Sequence, residues 1–290
     1  MTLQPISGLA AVADRFDGFI LDLWGVVHDG VRPYPSAIAT LEGLRTAGKR
    51  TLLLSNAPRR ASALVDAMTG MGIERALYGE VLSSGEVTRD ALISRDDPFF
   101  ARLGTRAYHL GPERDRSVFA GTDLTIVDDI RAASFIVNTG PWEFTDTVDM
   151  YDDVLVVARE RNLPMVCANP DLVVIREGRP VVCAGAIAVR YEGMGGAVAY
   201  RGKPDRSVYD AARRKLGVTD PRRIAVVGDA LETDIKGAAG AGLPSVWCTG
   251  GIHAAALGVS YGVPADPEKA RQLAAAHGNI PDFFMPGFIW

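Results

Sequence analysis

The sequence predicts an α/β protein built on a parallel sheet, with a second α/β unit inserted into it. Three observations carry that prediction. Short apolar runs end in polar residues: 19–21 before Asp22, 51–54 before Ser55-Asn56, and 224–227 before Gly228-Asp229. Such continuous runs are the pattern of strands buried on both faces. Segments with helical spacing follow those runs, and residues 88–200 carry α/β signals of their own.

Taken in order, residues 19–21 with Leu23 read as the end of a buried strand, and Asp22 sits where that strand runs out. A carboxylate there either caps the turn after the strand or is paired, metal-bound or catalytic. Gly25 lets the chain turn beneath it. Ala37, Ile38, Leu41 and Leu44 have helical spacing, with Ser36 as N-cap and Gly48 as stop. Residues 50–56 read as a second strand, and Pro58 as the first position of a helix running to about Gly70. A strand, a polar turn and a fresh helix start make either a plain N-cap or an anion site, to which Ser55 and Asn56 would add donors. Strand 81–84 and helix 85–93 follow.

The inserted segment shows strands at 107–110, 135–138 and 165–168, a helix at 150–161, and a turn at Asn169-Pro170-Asp171. The Gly193-Met194-Gly195-Gly196 cluster lacks the spacing and context of a dinucleotide fingerprint. The expected division is 1–87, first part of the core; 88–200, the insertion; and 201–290, second part of the core. In the last part Lys203 stands between Gly202 and Pro204, in a turn that fixes its side chain. Helix 207–216, strand 223–227, Asp229, Asp234 and a helix from Ile235 to near Gly242 come next, then a final strand and loop at 245–251. The apolar tail 283–290 either packs on the core or forms a homodimer interface.

A chain of 290 residues is long enough for two domains. Its net charge of −4 argues against non-specific binding to nucleic acid or acidic membranes. Three cysteines without metal-ligand spacing suit a reducing cytoplasm. No apolar run reaches transmembrane length, and residues 1–17 lack a secretory pattern.

Ligands of open α/β sheets bind outside the carboxyl ends of the strands. Convergence there gathers three carboxylates, one ammonium and an anion-binding turn. Carboxylate oxygens with water suit Mg²⁺, and a Lys with backbone N–H groups suits a phosphoryl group.

Asp22 with Gly25-Val26, Ser55-Asn56, Gly202-Lys203-Pro204 and the run from Gly228 to Ile235 together resemble the haloacid dehalogenase-like (HAD) superfamily. The nearest branch is class IIA, the NagD-like sugar and nucleotide phosphatases, and the resemblance covers nearly the whole chain. It implies a Rossmann-like core with an α/β (C2-type) cap at 88–200, acting on a small phosphorylated metabolite. Asp22 would attack phosphorus through an aspartyl-phosphate. Ser55, Asn56 and Lys203 would hold the phosphate. Asp22, the carbonyl of Trp24 and Asp229 would bind Mg²⁺, with Asp234 supporting through a water. Asn169 and Asp171 would lie at the closing surface of the cap.

One position departs from that pattern. Family phosphatases carry a second Asp two residues after the nucleophile as acid and base; here it is Trp24, whose indole N–H only donates. His28 and Asp29 either reach back to replace it or form a polar hairpin tip. Three readings follow: a Mg²⁺-dependent phosphomonoesterase, a catalytically weak sensor of a phosphorylated ligand, and a dehalogenase, which has no need of Asp229 and Asp234.

Overall fold

The computed structural model describes residues 3–290, so the first two residues of the expected core lie outside the described residues. Seven strands form the larger sheet: β1 (Gln4–Pro5), β2 (Gly18–Asp22), β3 (Arg50–Ser55) and β4 (Glu80–Ser83), then β12 (Ile224–Gly228), β13 (Ser245–Cys248) and β14 (Phe283–Met285). Their order is β1-β14-β13-β12-β2-β3-β4, and every neighbouring pair is parallel. The residues between β4 and β12 build a separate parallel sheet from β5 (Arg106–Leu110), β6 (Thr125–Val127), β7 (Phe135–Asn138), β8 (Met165–Cys167) and β11 (Val198–Tyr200), in the order β11-β8-β7-β5-β6. Strands β9 (Val173–Arg176) and β10 (Arg179–Val182) pair as an antiparallel hairpin.

The two-residue period of a strand explains why both faces of the larger sheet are buried. Leu21, Leu53, Val227 and Val246 pack on one face with Leu41, Leu44, Leu64 and Met68 of helices Ala37–Thr46 and Ala61–Gly70. Ile20, Leu52, Leu54 and Val226 pack on the other with Val208, Tyr209 and Ala212 of helix Arg206–Leu216. Each such side chain contributes roughly 1.5–3 kcal/mol when fully buried. The functional consequence lies in the register. Leu21 pairs with Leu53 and with Val227, so β3, β2 and β12 end together and bring Ser55, Asp22 and Asp229 to one edge.

Several local expectations need correction. The helix after Asn56 starts at Ala61, not at Pro58, because the intervening loop is tied to the next helix. Ala57 accepts hydrogen bonds from Gly85 N and Ser84 Oγ, and the Glu86 carboxylate takes Ala61 N and the Arg60 guanidinium. That helix start is therefore filled by Glu86 and is no open anion site. Ser36 occupies its N-cap position, but its hydroxyl donates to the Phe288 carbonyl instead of accepting from its own helix. The strand at 245–248 is not the last. The apolar tail supplies β14, which lies between β13 and β1, and Phe283, Met285 and Phe288 are buried. This removes the tail as a ground for expecting a homodimer. No helix of the described residues is long and apolar enough to cross a membrane.

Candidate active site

Asp22 closes β2 with its carboxylate buried, and the chain turns at once. The turn requires Gly25. Its φ is +84°, and a Cβ there would stand 2.0 Å from Asp229 Oδ2. The carboxylates of Asp22, Asp229 and Asp234 are all buried, with oxygens within 4.8 Å of one another. Lys203 Nζ donates to Asp22 Oδ1 at 2.5 Å and to Asp234 Oδ1 at 2.8 Å. Asp229 Oδ2 accepts from Ile252 N at 2.7 Å, and Asp234 Oδ2 from Ala230 N at 3.2 Å. The Tyr209 hydroxyl lies 3.2 Å from the carbonyls of Thr233 and Asp234 and so braces the turn that carries Asp234.

Charge balance decides what this cluster wants. Burial alone would lower the Lys203 ammonium, but Asp22 and Asp234 outweigh it and hold the group well above its ordinary value. Burial drives the Asp22 carboxyl well above the usual carboxylate range, against the pull of Lys203. Burial, with the Asp234 charge, pushes Asp229 up to about 8. Three acids thus share one ammonium, and the raised Asp22 and Asp229 hold protons that a cation would displace. The all-oxygen donor set and its missing positive charge fit a hard divalent ion. The Trp24 carbonyl accepts no main-chain hydrogen bond among the described residues and leaves a further oxygen free.

The other expected residues converge as well. The Ser55 hydroxyl accepts from Ala57 N at 3.2 Å, which leaves its proton free to donate. Asn56 is engaged at both ends. Its Oδ1 accepts from Lys203 N at 2.7 Å, and its Nδ2 donates to Lys203 O and, at 2.8 Å, to Asp171 Oδ1. Its bonds hold the Lys203 turn instead of pointing at a ligand. Asp171 belongs to the inserted segment, so this bond crosses between the two units. Asn169 Oδ1 accepts from Asp171 N at 3.0 Å and shapes that loop.

Between the strand ends and the insertion lies a cavity of about 700 Å³, whose lining includes Asp22, Lys203 and Asp229. The hairpin β9–β10 covers it. Trp24 Nε1 donates to the Ile175 carbonyl at 2.7 Å, and Arg176 Nη1 to the Gly30 carbonyl at 3.1 Å. The Trp24 ring rests on Gly30, where a Cβ would lie 2.3 Å from Cη2. The indole proton at the position of interest is thus committed to the hairpin. Asp29 accepts from Val31 N and Arg32 N, the bonding of a plain turn. His28 Nδ1 accepts from Gly30 N, and burial lowers its imidazole to about 4.

Such an arrangement matches known proteins along the whole chain. The haloacid dehalogenase-like hydrolase model matches residues 19–125, and a HAD-hydrolase-like model residues 200–275. A haloacid dehalogenase-like hydrolase from Brucella suis 1330 is 34% identical, with a TM-score of 0.84 over 98% of this chain and 100% of that one. The chain belongs to the haloacid dehalogenase-like hydrolases. Within them it sits in the NagD-like, class IIA branch. Bos taurus chronophin is 28% identical over 96% of this chain and 93% of its own. A 4-nitrophenylphosphatase from Thermotoga maritima is 26% identical, with a TM-score of 0.71 over 96% of both chains. As a HAD hydrolase this chain departs from the expected phosphatase pattern at Trp24, whose indole N–H binds the hairpin.

Sequence reasoning missed the hairpin and with it Ile175 and Arg176. The signal was the Glu177-Gly178 pair between the β-branched runs 173–175 and 181–182; both residues take positive φ, 48° and 76°, as a two-residue hairpin turn demands. It also missed Arg59, Arg114, Asp115 and Phe144 of the cavity wall, which belong to no motif.

Proposed function

We propose that the protein is a Mg²⁺-dependent phosphomonoesterase acting on a small phosphorylated metabolite. One observation carries this reading: the Asp22 carboxylate stands at the cavity floor with Lys203 Nζ at 2.5 Å and Asp229 and Asp234 beside it. A carboxylate oxygen of Asp22 attacks phosphorus, the bond to the leaving oxygen breaks, and that oxygen takes a proton. Water then attacks phosphorus, loses a proton, releases inorganic phosphate and regenerates the carboxylate. Lys203 and the Ser55 hydroxyl hold the phosphoryl oxygens. Asp22, the Trp24 carbonyl, Asp229 and Asp234 would hold Mg²⁺, which offsets the charge of the phosphoryl group. Asn56 keeps Lys203 in place, and residues 88–200 act as a cap whose Asn169–Asp171 loop meets the core. The phosphatase named among its relatives supports the reaction class. Phosphate release from a panel of phosphate esters, lost with EDTA and restored by Mg²⁺, is the expected result. Release that survives exhaustive chelation would sink the metal assignment.

The position of Trp24 favours a second reading, a catalytically weak sensor of a phosphorylated ligand. Acid–base help is worth ~10²–10⁴-fold, and neither Trp24 nor neutral His28 replaces the missing carboxylate. Trp24→Asp separates the two. For a phosphatase slowed by that absence, it raises turnover of glycerol 3-phosphate by ~10²-fold. An inert native protein with an inert variant, stabilised by ligand alone, fits the sensor.

A further inference from the structure

A second group of residues lining the same cavity carries the opposite charge. This collar is a continuous set of contacts. Trp24 binds the carbonyl of Ile175, and Arg176 follows in the chain. The Arg176 guanidinium lies 4.6 Å from the centroid of Phe144, and that of Arg114 lies 4.4 Å from the same ring. Next to Arg114, Asp115 meets Arg59 of the core at 3.4 Å. Three guanidinium groups and one carboxylate leave two positive charges on this collar.

Those charges have no protein counterpart. Neither Arg114 nor Arg176 is paired with a carboxylate among the described residues; one stacks on Phe144, and the other adds a single bond to the Gly30 carbonyl. Asp115 is only 4% exposed, and its Oδ1 faces the Arg59 Nε at 3.4 Å, an ion pair without good hydrogen-bond geometry, so that one guanidinium is matched by a carboxylate while the other two are not. Two guanidinium groups that line a cavity with no carboxylate beside them point to an anionic ligand. Burial holds the Asp115 carboxyl at about 6, against the pull of Arg59 and Arg114. Planar guanidinium groups match carboxylate and phosphate oxygens two at a time.

We propose that the substrate carries a second anionic group on its leaving-group side, a carboxylate or a phosphate, which Arg59, Arg114 and Arg176 of the cavity lining receive. This rests on the phosphomonoesterase reading and names its substrate class. The cavity lining then matches both groups: carboxylates and a cation around the reacting phosphoryl group, guanidinium groups around the second anion.

The test uses matched pairs in Mg²⁺ buffer: 3-phosphoglycerate against glycerol 3-phosphate for a carboxylate, and fructose 1,6-bisphosphate against fructose 6-phosphate for a phosphate. We expect kcat/KM at least tenfold higher for the anionic member of one pair. The ratio falls towards one in the Arg114→Gln, Arg176→Gln double variant and inverts in Arg114→Glu. A native ratio near one in both pairs, or a ratio that survives the double variant, overturns the proposal. The same pairs titrated calorimetrically onto the Mg²⁺-loaded protein separate the two failures. Binding preference without phosphate release leaves the collar standing and removes the phosphatase; equal binding removes the collar.

Discussion

Asp22→Asn is expected to lower phosphate release by at least ~10³-fold, because an amide cannot replace the attacking carboxylate. The same change should leave thermal stability in EDTA unchanged or raised. Burial holds the Asp22 carboxyl well above the usual range, so the folded state prefers it uncharged, and ionising it at pH 7 costs stability. Asparagine keeps the shape, removes that charge and relieves the crowding with Asp229 and Asp234, while Lys203 keeps its bond to Asp234. Phosphate assays and thermal scans on one preparation check both halves. Retained turnover would exclude Asp22 as nucleophile. A large fall in stability would mean that the carboxylate is structural, held for the ammonium.

The part of this site that was legible in the sequence is the part fixed by strand ends. Asp22, Ser55 and Asp229 each follow a buried apolar run, and parallel register then brings adjacent strand ends together. Lys203 was legible because Gly202 and Pro204 confine it. What the spacing could not tell was where bonds between distant segments go. Asn56 looks like a phosphate donor after its strand, yet both ends of its amide close on Lys203 and Asp171, 147 and 115 residues away. The start of helix Ala61–Gly70 looks open until Glu86 arrives from the next helix. The collar was invisible for the same reason. Arg59, Arg114, Phe144 and Arg176 come from four segments, and only packing of the insertion over the strand ends assembles them. Trp24 shows both sides of the matter. Its identity flagged the missing acid, but its purpose depends on a carbonyl 151 residues away.

Lys203→Met is expected to do the reverse of Asp22→Asn on stability. Lys203 is 3% exposed and is the ammonium shared by Asp22 and Asp234. Removing it leaves buried carboxylates without their cation, a loss of about 3–5 kcal/mol. That corresponds to a fall in Tm of roughly 6–20 °C, while Lys236→Met on the exposed side of its helix should stay within about 0.5 kcal/mol. Two conditions should restore part of the loss. Mg²⁺ supplies positive charge to the same oxygens and binds only the folded state. Acid protonates them. Asp229 has a folded value of about 8 against an ordinary 3.8, so its share of stability is present in acid and is lost as pH rises through that window. Thermal scans across pH, with and without Mg²⁺, check the sign. A variant as stable as the native chain at pH 8 in EDTA would mean that the three carboxylates need no cation, and the metal reading would fall with it.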